Sequence, residues 1–340
     1  MSKTSRLSPL LSILKRWLPR VLAVALLVVA VQRAGPANIW RSLISADPLS
    51  VLVSALLVVP FVVVRAARWR IVLRDLNILI SYGLATRLYA IGLFIGTITT
   101  GQAGDAIKAW FLKARGESLS VSLLSCVLDR LFDILVLAAL ATTALVVFWP
   151  ELETQWLLGA LIIAGVMVVL VLLARPAART FVSNLPLVCL VWRPAETRVR
   201  LLPWGAPLLD SQLTWPTLGV AVLLTILGFV VTLSRVYLIF HAVGVDLPVL
   251  QFLAVASVAI FASLVSVAGV GSRDIALIAL FSQFGYSEQQ AVAASFLILF
   301  LTFSNIIPGL VAWFSKDEYR AAGAAYRLES VEPALPPGDH

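Results

Sequence analysis

Two stretches, Thr99-Thr-Gly-Gln-Ala-Gly-Asp-Ala-Ile-Lys108 and Val267-Ala-Gly-Val-Gly-Ser-Arg-Asp-Ile-Ala276, decide the fold of this chain. In each, glycines precede an acid, Asp105 or Asp274, inside strongly apolar sequence. Eleven residues after each acid comes a glycine, and two further on a serine: Gly116 and Ser118, then Gly285 and Ser287. The offset between the two copies is 169 residues, about half of the 340. A carboxylate is costly in hydrocarbon and is seldom kept there without a use. The same device at half-chain spacing predicts an internal repeat of the kind found in transporters.

The surrounding composition supports a membrane setting. The chain is 60% hydrophobic and 13% charged, more apolar than a soluble core requires. Several runs reach the roughly 18–25 residues needed to cross a bilayer. The fold class expected is an all-α polytopic membrane protein. The net charge of +8 is concentrated at the ends of apolar runs, which is an orientation signal and also suits anionic lipid headgroups. No zinc-finger or RNA-binding pattern accompanies it, so nucleic acid is not an expected partner. Cys126 and Cys189 form no CxxC pair, and His241 and His340 are far apart, so neither a metal site nor a cofactor is expected.

Lys3, Arg6, Lys15, Arg16 and Arg20 precede the apolar stretch 21–31. That pattern could mark a signal peptide, but the apolar run begins near Leu10 and lacks a small-x-small cleavage site, so an uncleaved first helix is expected over 10–32. Further helices are expected over 48–73, 118–148, 155–174, 217–243 and 288–314. Runs over 84–100 and 248–268 stop at the Gly101/Gly104 and Gly269/Gly271 turns. The short stretches that follow, 105–115 and 272–284, cannot span a bilayer alone. They read as re-entrant hairpins; two thin or tilted spans are the competing reading. The expectation is six full transmembrane helices plus two re-entrant hairpins, about eight apolar segments in an inverted repeat. Segment 1–9 is a cytoplasmic N-terminus. Residues 10–315 form one membrane domain, with a first half over 10–174, a basic Pro-rich linker over 175–216 and a second half over 217–315. The tail 316–340 is expected to be disordered and cytoplasmic.

Charge bias orients these segments. With the N-terminus in the cytoplasm, the 48–73 helix ends inside at Arg65, Arg68, Arg70 and Arg74, and the first hairpin sits inside with Lys108, Lys113 and Arg115. The second hairpin opens outside, and the last helix returns to Lys316 and Arg320. The halves are therefore inverted, the arrangement behind alternating access. A bacterial cytoplasmic membrane with both termini inside is the expected location.

Candidate functional residues are the charges that this topology leaves in hydrocarbon. Asp105 and Asp274 approach from opposite faces, as gating or ion-coupling groups; helix capping is the competing role for each. Asp129-Arg130-Leu-Phe-Asp133 lies in an apolar helix, with Asp129 and Asp133 on one face. These two acids belong either to gating or to an ion pair that fixes helix packing. Arg130, Arg235, Arg273 and Lys108 form a cationic set suited to an anionic headgroup, although snorkelling to the interface competes for Lys108. Asn305, with Ser304 and Pro308, marks a break in the last helix, read as a kink without function. No nucleophile–base constellation or phosphate loop is present, so an enzyme is not expected.

Gly101-Gln-Ala-Gly-Asp105, Asp129-Arg130-Leu-Phe-Asp133, Gly269-Val-Gly-Ser-Arg-Asp274 and the Arg68-Trp69 pair, in this order, resemble the membrane region of lysyl-phosphatidylglycerol synthases and related stand-alone flippase-like proteins. The resemblance spans roughly 10–315. The family usually carries Glu where this chain has Asp105, Asp129 and Asp274. The chain shows no counterpart of the synthases' soluble aminoacyl-transferase domain, so lysyl-lipid synthesis is not expected of it. The resemblance implies movement of a lipid headgroup across the membrane, with the lipid and the oligomeric state left open. A non-transporting partner of an envelope lipid- or glycan-modifying enzyme is the alternative, with 175–200 as its docking surface.

Overall fold

The computed structural model describes residues 36–97, 99, 104–148, 157, 159–165, 213–263 and 271–315. The expected helix 10–32, the turn residues Gly101 and Gly269, nearly all of the linker, much of the 155–174 run and the two termini lie outside these residues. Regular structure among the described residues is helical throughout. The helices are α1 (Pro36–Ile44), α2 (Pro48–Leu56), α3 (Val58–Asp75), α4 (Tyr82–Thr97), α5 (Ile107–Lys113) and α6 (Leu119–Phe148) in the first half. The second half contains α7 (Trp215–Ala242), α8 (Val249–Ser263), α9 (Ser272–Gln283), α10 (Glu288–Ser304) and α11 (Ile306–Phe314). Among the described residues, four stretches are long and apolar enough to cross a membrane: α2 with α3, α6, α7, and α10 with α11. The chain is a multi-pass helical membrane protein.

Local sequence sets these boundaries. Asp47 caps α2 by accepting the backbone N–H groups of Leu49 and Ser50, with Pro48 at the first helical position. Thr214 caps α7 by accepting the Thr217 N–H, with Pro216 at the second helical position. At α10 the Ser287 and Gln290 side chains cap reciprocally. The repeated glycines close matching turns. Gly116 (φ 93°) and Gly285 (φ 80°) are left-handed. The residue after each bonds back five positions, Glu117 N–H to Leu112 O at 3.1 Å and Tyr286 N–H to Phe281 O at 3.0 Å, a Schellman closure. Asn77 and Gly244 do the same for α3 and α7, through Ile78 to Leu73 and Val245 to Phe240. Helix α1 was not anticipated, because nine residues with an arginine do not stand out as an apolar run. Its Leu43 packs toward Val292, while Trp40 and Ile44 face outward.

Packing between the halves is reciprocal. Helix α4 lies against α11 of the second half, and α8 lies against α6 of the first. Helices α3 and α7 pack together between them. At one end of the bundle, Asp75 accepts the Thr214 N–H at 2.8 Å, and Phe111 meets Trp313 edge-on at 6.2 Å. At the other end, the Asp47 N–H donates to Ala242 O at 3.0 Å, and Phe148 meets Phe284 edge-on at 5.9 Å. The C-terminal end of α5 therefore lies at the first end of the bundle, and that of α9 at the second.

The α4–α11 crossing depends on Gly309: a Cβ there would lie 2.5 Å from the Ala90 carbonyl oxygen and would also strike Phe94. Backbone cannot move aside as a flexible side chain can, so Gly309→Ala should destabilise the protein by about 1–3 kcal/mol. Gly219→Ala, where nothing lies within 4 Å, should be neutral or slightly stabilising in α7. Thermal unfolding of the detergent-solubilised variants, followed by loss of the monodisperse peak, checks both.

Candidate functional site

Charge spacing on two helices organises the first cluster. Arg65 and Arg68, three apart on α3, face Asp129 and Asp133, four apart on α6, so each pair occupies one turn of its helix. Arg68 is fully buried and donates Nε and Nη2 to Asp129 Oδ1 at 2.9 and 2.7 Å. Its Nη2 also reaches the Asp129 carbonyl at 3.0 Å. Its Nη1 donates to Asp133 Oδ1 at 2.6 Å and to Thr225 Oγ1, on α7, at 2.9 Å. Arg65 Nη1 donates to Asp133 Oδ2. Arg65 and Arg68, read from the sequence only as orientation charges, are thus members of a buried ion-pair cluster. Both turn inward, because the acids on α6 supply a partner that makes burial tolerable.

Lys108 and Arg130 meet at Asp105. Lys108 Nζ lies 2.8 Å from Asp105 Oδ2 and 3.5 Å from Asp129 Oδ2. It also stands over the Tyr89 and Trp69 rings at 4.3 and 4.9 Å. The Trp69 indole is itself held by donation to Ser125 Oγ at 3.0 Å. Lys108 is fully buried, so it does not snorkel; two carboxylates and two aromatic faces replace its hydration. Arg130 Nη2 donates to the same Asp105 Oδ2 at 2.7 Å. Helix α4 approaches this acid through Gly92, where a Cβ would lie 2.6 Å from Asp105 Oδ1 and 2.8 Å from Lys108 Cγ. Gly104, ahead of α5, donates its N–H to Thr99 Oγ1 at 2.8 Å.

The second half contributes two arginines with different partners. Asp274 accepts the Gly271 N–H at 2.9 Å and so caps α9. Its other oxygen accepts from Arg273 Nη2 at 3.1 Å and from the Ser295 hydroxyl. Arg235 is 5% exposed, and its acceptors among the described residues are all neutral. Its Nε donates to Ser54 O at 2.9 Å, Nη1 to Asn305 Oδ1 at 2.9 Å, and Nη2 to Ser304 Oγ at 3.1 Å and Leu301 O at 3.4 Å. The break at Asn305 is thus more than a kink: it turns an amide oxygen onto a buried guanidinium.

A cavity of about 240 Å³ lies between the halves. Arg65 of α3, Arg130 and Asp133 of α6, Arg235 of α7 and Arg273 of α9 all line it, together with Asp105. Of the residues expected at the site, Arg130, Arg235, Arg273, Asp105 and Asp133 reach the cavity wall. Asp129 and Lys108 stand behind it, and Asp274 supports Arg273 from the helix cap. Gly271, at φ 89°, starts α9. Arg65, Arg68 and Asn305 were missed. The signal available for the first two was the complementary spacing of two basic and two acidic residues in separate apolar runs. Among the described residues, no group of three His, Cys, Asp or Glu side chains could hold a metal ion.

Fold and site together define a multi-pass helical membrane protein with an arginine-rich cavity between its halves. The chain belongs to the family described as the lysylphosphatidylglycerol synthase TM region, whose family model matches residues 16–309. It is similar to a UPF0104 membrane protein of Methanothermobacter thermautotrophicus, 26% identical over 81% of this chain and 87% of that protein. A UPF0104 membrane protein of Pyrococcus horikoshii is 22% identical over 85% of this chain and 93% of its own length. A shorter similarity, 32% identity over 127 residues, covers 37% of this chain and 20% of the glycosyltransferase AglD of Haloferax volcanii.

Removing one member of a buried ion pair strands the other. Arg68→Met should destabilise the protein by about 3–5 kcal/mol, because Asp129 loses both guanidinium bonds. Adding Asp129→Leu should recover a substantial part of that loss, since no unpaired charge then remains at position 129. Thermal unfolding of the wild type, both single variants and the double variant gives the coupling.

Proposed function

We propose that this protein is a lipid carrier of flippase type, which moves an anionic phospholipid or lipid-linked headgroup across the membrane through the cavity between its halves. The observation that carries this reading is the cavity wall, where four arginines stand with two carboxylates. Arg235 is the principal headgroup ligand, since its described partners are neutral oxygens. A guanidinium with no carboxylate competitor is suited to a phosphate oxygen. Asp105 is the gate: it holds Arg130 until a headgroup phosphate competes for that cation. Asp133 holds Arg65 at the wall, and Asp129 with Lys108 sets the charge behind the gate. Asp274 works through Arg273, which it orients from the cap of α9. The role is carriage and not catalysis.

The reciprocal packing of α4 with α11 and of α8 with α6 supports an inverted repeat. In this reading, α4–α5 and α8–α9 are re-entrant hairpins that enter from opposite faces. Rocking the halves about the α3–α7 contact would expose the cavity to each side in turn. Both chain termini are assigned to the cytoplasmic side of a cytoplasmic membrane.

A second reading is favoured by the similarity to part of the glycosyltransferase AglD: a membrane partner of a lipid- or glycan-modifying enzyme. It would replace the carrier reading if the purified chain moved no lipid but co-purified with such an enzyme.

Two measurements test the carrier. In reconstituted vesicles, Asp105→Asn and Arg235→Gln should each slow movement of a fluorescent anionic lipid by roughly tenfold or more, the loss of one charge-assisted contact, with folded protein retained. Wild-type rates in both variants would exclude these roles. In a background lacking Cys126 and Cys189, Ser118→Cys and Ser287→Cys should react with an impermeant maleimide from opposite faces of oriented vesicles. Labelling of both from one face would exclude the inverted arrangement.

A further inference from the structure

We propose that the cavity selects a doubly charged phosphate group, a phosphomonoester or diphosphate, over the singly charged phosphodiester of common phospholipids. This rests on the carrier reading and narrows its substrate class. Charge matching is the first ground. The buried side chains include five cations, namely Arg65, Arg68, Lys108, Arg235 and Arg273. Against them stand three buried carboxylates, Asp105, Asp129 and Asp274. Arg130 and Asp133, which are partly buried, add one charge of each sign. At the cavity and directly behind it, the excess among the described residues is therefore two positive charges. Uncompensated charge in a low-dielectric interior is strongly unfavourable, so a ligand carrying two negative charges neutralises the site where a diester leaves one charge over.

Donor geometry is the second ground. Arg235 has five N–H groups and engages four acceptors, which leaves one Nη1 hydrogen for a ligand. Arg65 makes one hydrogen bond among the described residues, from Nη1 to Asp133, which leaves its Nη2 hydrogens for a ligand. Both guanidinium carbons lie beside the Phe61 ring, at 5.0 Å for Arg65 and 5.8 Å for Arg235, and all three residues line the cavity. One apolar ring thus spaces two cations that each have a donor to spare. A terminal phosphate offers three acceptor oxygens to such a pair, where a diester offers two non-bridging ones.

The test is competitive binding to the full chain in detergent at pH 8, read as thermal stabilisation. The probes are dioctanoyl phosphatidic acid, dioctanoyl phosphatidylglycerol and inorganic phosphate. The phosphomonoester lipid should bind roughly tenfold or more tightly than the diester, the value of one further charge-assisted contact. That preference should shrink as the pH falls through about 6, where the monoester takes up its second proton. Arg235→Gln should abolish the preference and Arg235→Lys should retain part of it. If Arg235→Gln does not fold, Phe61→Leu, which alters the spacing of the two cations while keeping their charge, should weaken monoester binding more than diester binding. Equal affinity for the two lipids in the wild type, or a pH-independent preference, overturns the proposal. Inorganic phosphate that binds as tightly as the monoester lipid supports the two-charge site and overturns a lipid as its source. A retained binding preference with no lipid movement in vesicles removes the carrier reading alone. Movement of both lipids with equal affinity removes the two-charge inference alone.

Discussion

A full ionic charge in a membrane interior has to be met by another charge or by several dipoles, and the Arg68–Asp129 pair is where this protein meets that requirement most completely. Arg68 has no exposure to solvent, and it bonds to two acids on α6 and to a hydroxyl on α7. Three helices, α3, α6 and α7, are therefore fixed relative to one another by one guanidinium. Apolar side chains alone would set those helices less specifically, since lipid tails offer much the same contacts as a neighbouring helix. The hydrophobic cluster around Leu124, Leu128 and Phe132 fills the space left beside the pair.

From that anchor the charges grade outward into the cavity. Asp129 and Lys108 are buried behind the wall, Asp105 bridges Lys108 and Arg130, and Arg130 reaches the cavity with a side chain 32% exposed. On the facing side Arg235 is held by carbonyl, amide and hydroxyl oxygens. Neutral acceptors fix its orientation without cancelling its charge. The two halves thus present cations of different character to one space: Arg130 is paired with an acid, whereas Arg235 is held by neutral oxygens. That asymmetry is the physical content of the proposed carrier reading.

Much of the architecture was legible as sequence. The apolar runs located the four long spans to within a few residues, because a helix crossing hydrocarbon must satisfy its backbone internally and needs a fixed length to do so. The half-chain repeat of an acid preceded by glycines, and of Gly116 with Gly285, was also legible, since left-handed turns favour glycine. Arg65 and Arg68 were misread because a basic residue near the end of an apolar run has the same sequence signature whether it snorkels to the interface or turns inward. Asn305 was misread because a polar break in a helix gives no sign of what it faces.

By itself, the sequence determined a polytopic helical membrane protein, a repeated acid-bearing turn and a set of charges placed where water is scarce. Those properties follow from composition and spacing along one chain. Only the tertiary structure decided which charges are partners: Arg65 with Asp133 across 68 residues, Arg68 with Asp129 across 61, Arg235 with Asn305 across 70. It also separated the acid that lines the cavity, Asp105, from the one that caps a helix, Asp274. The glycine spacing differs, with Gly104 adjacent to Asp105 and Gly271 three residues before Asp274, so the cap on α9 is a local contact. That Arg130 of α6 meets Asp105 at the cavity is settled by packing between helices.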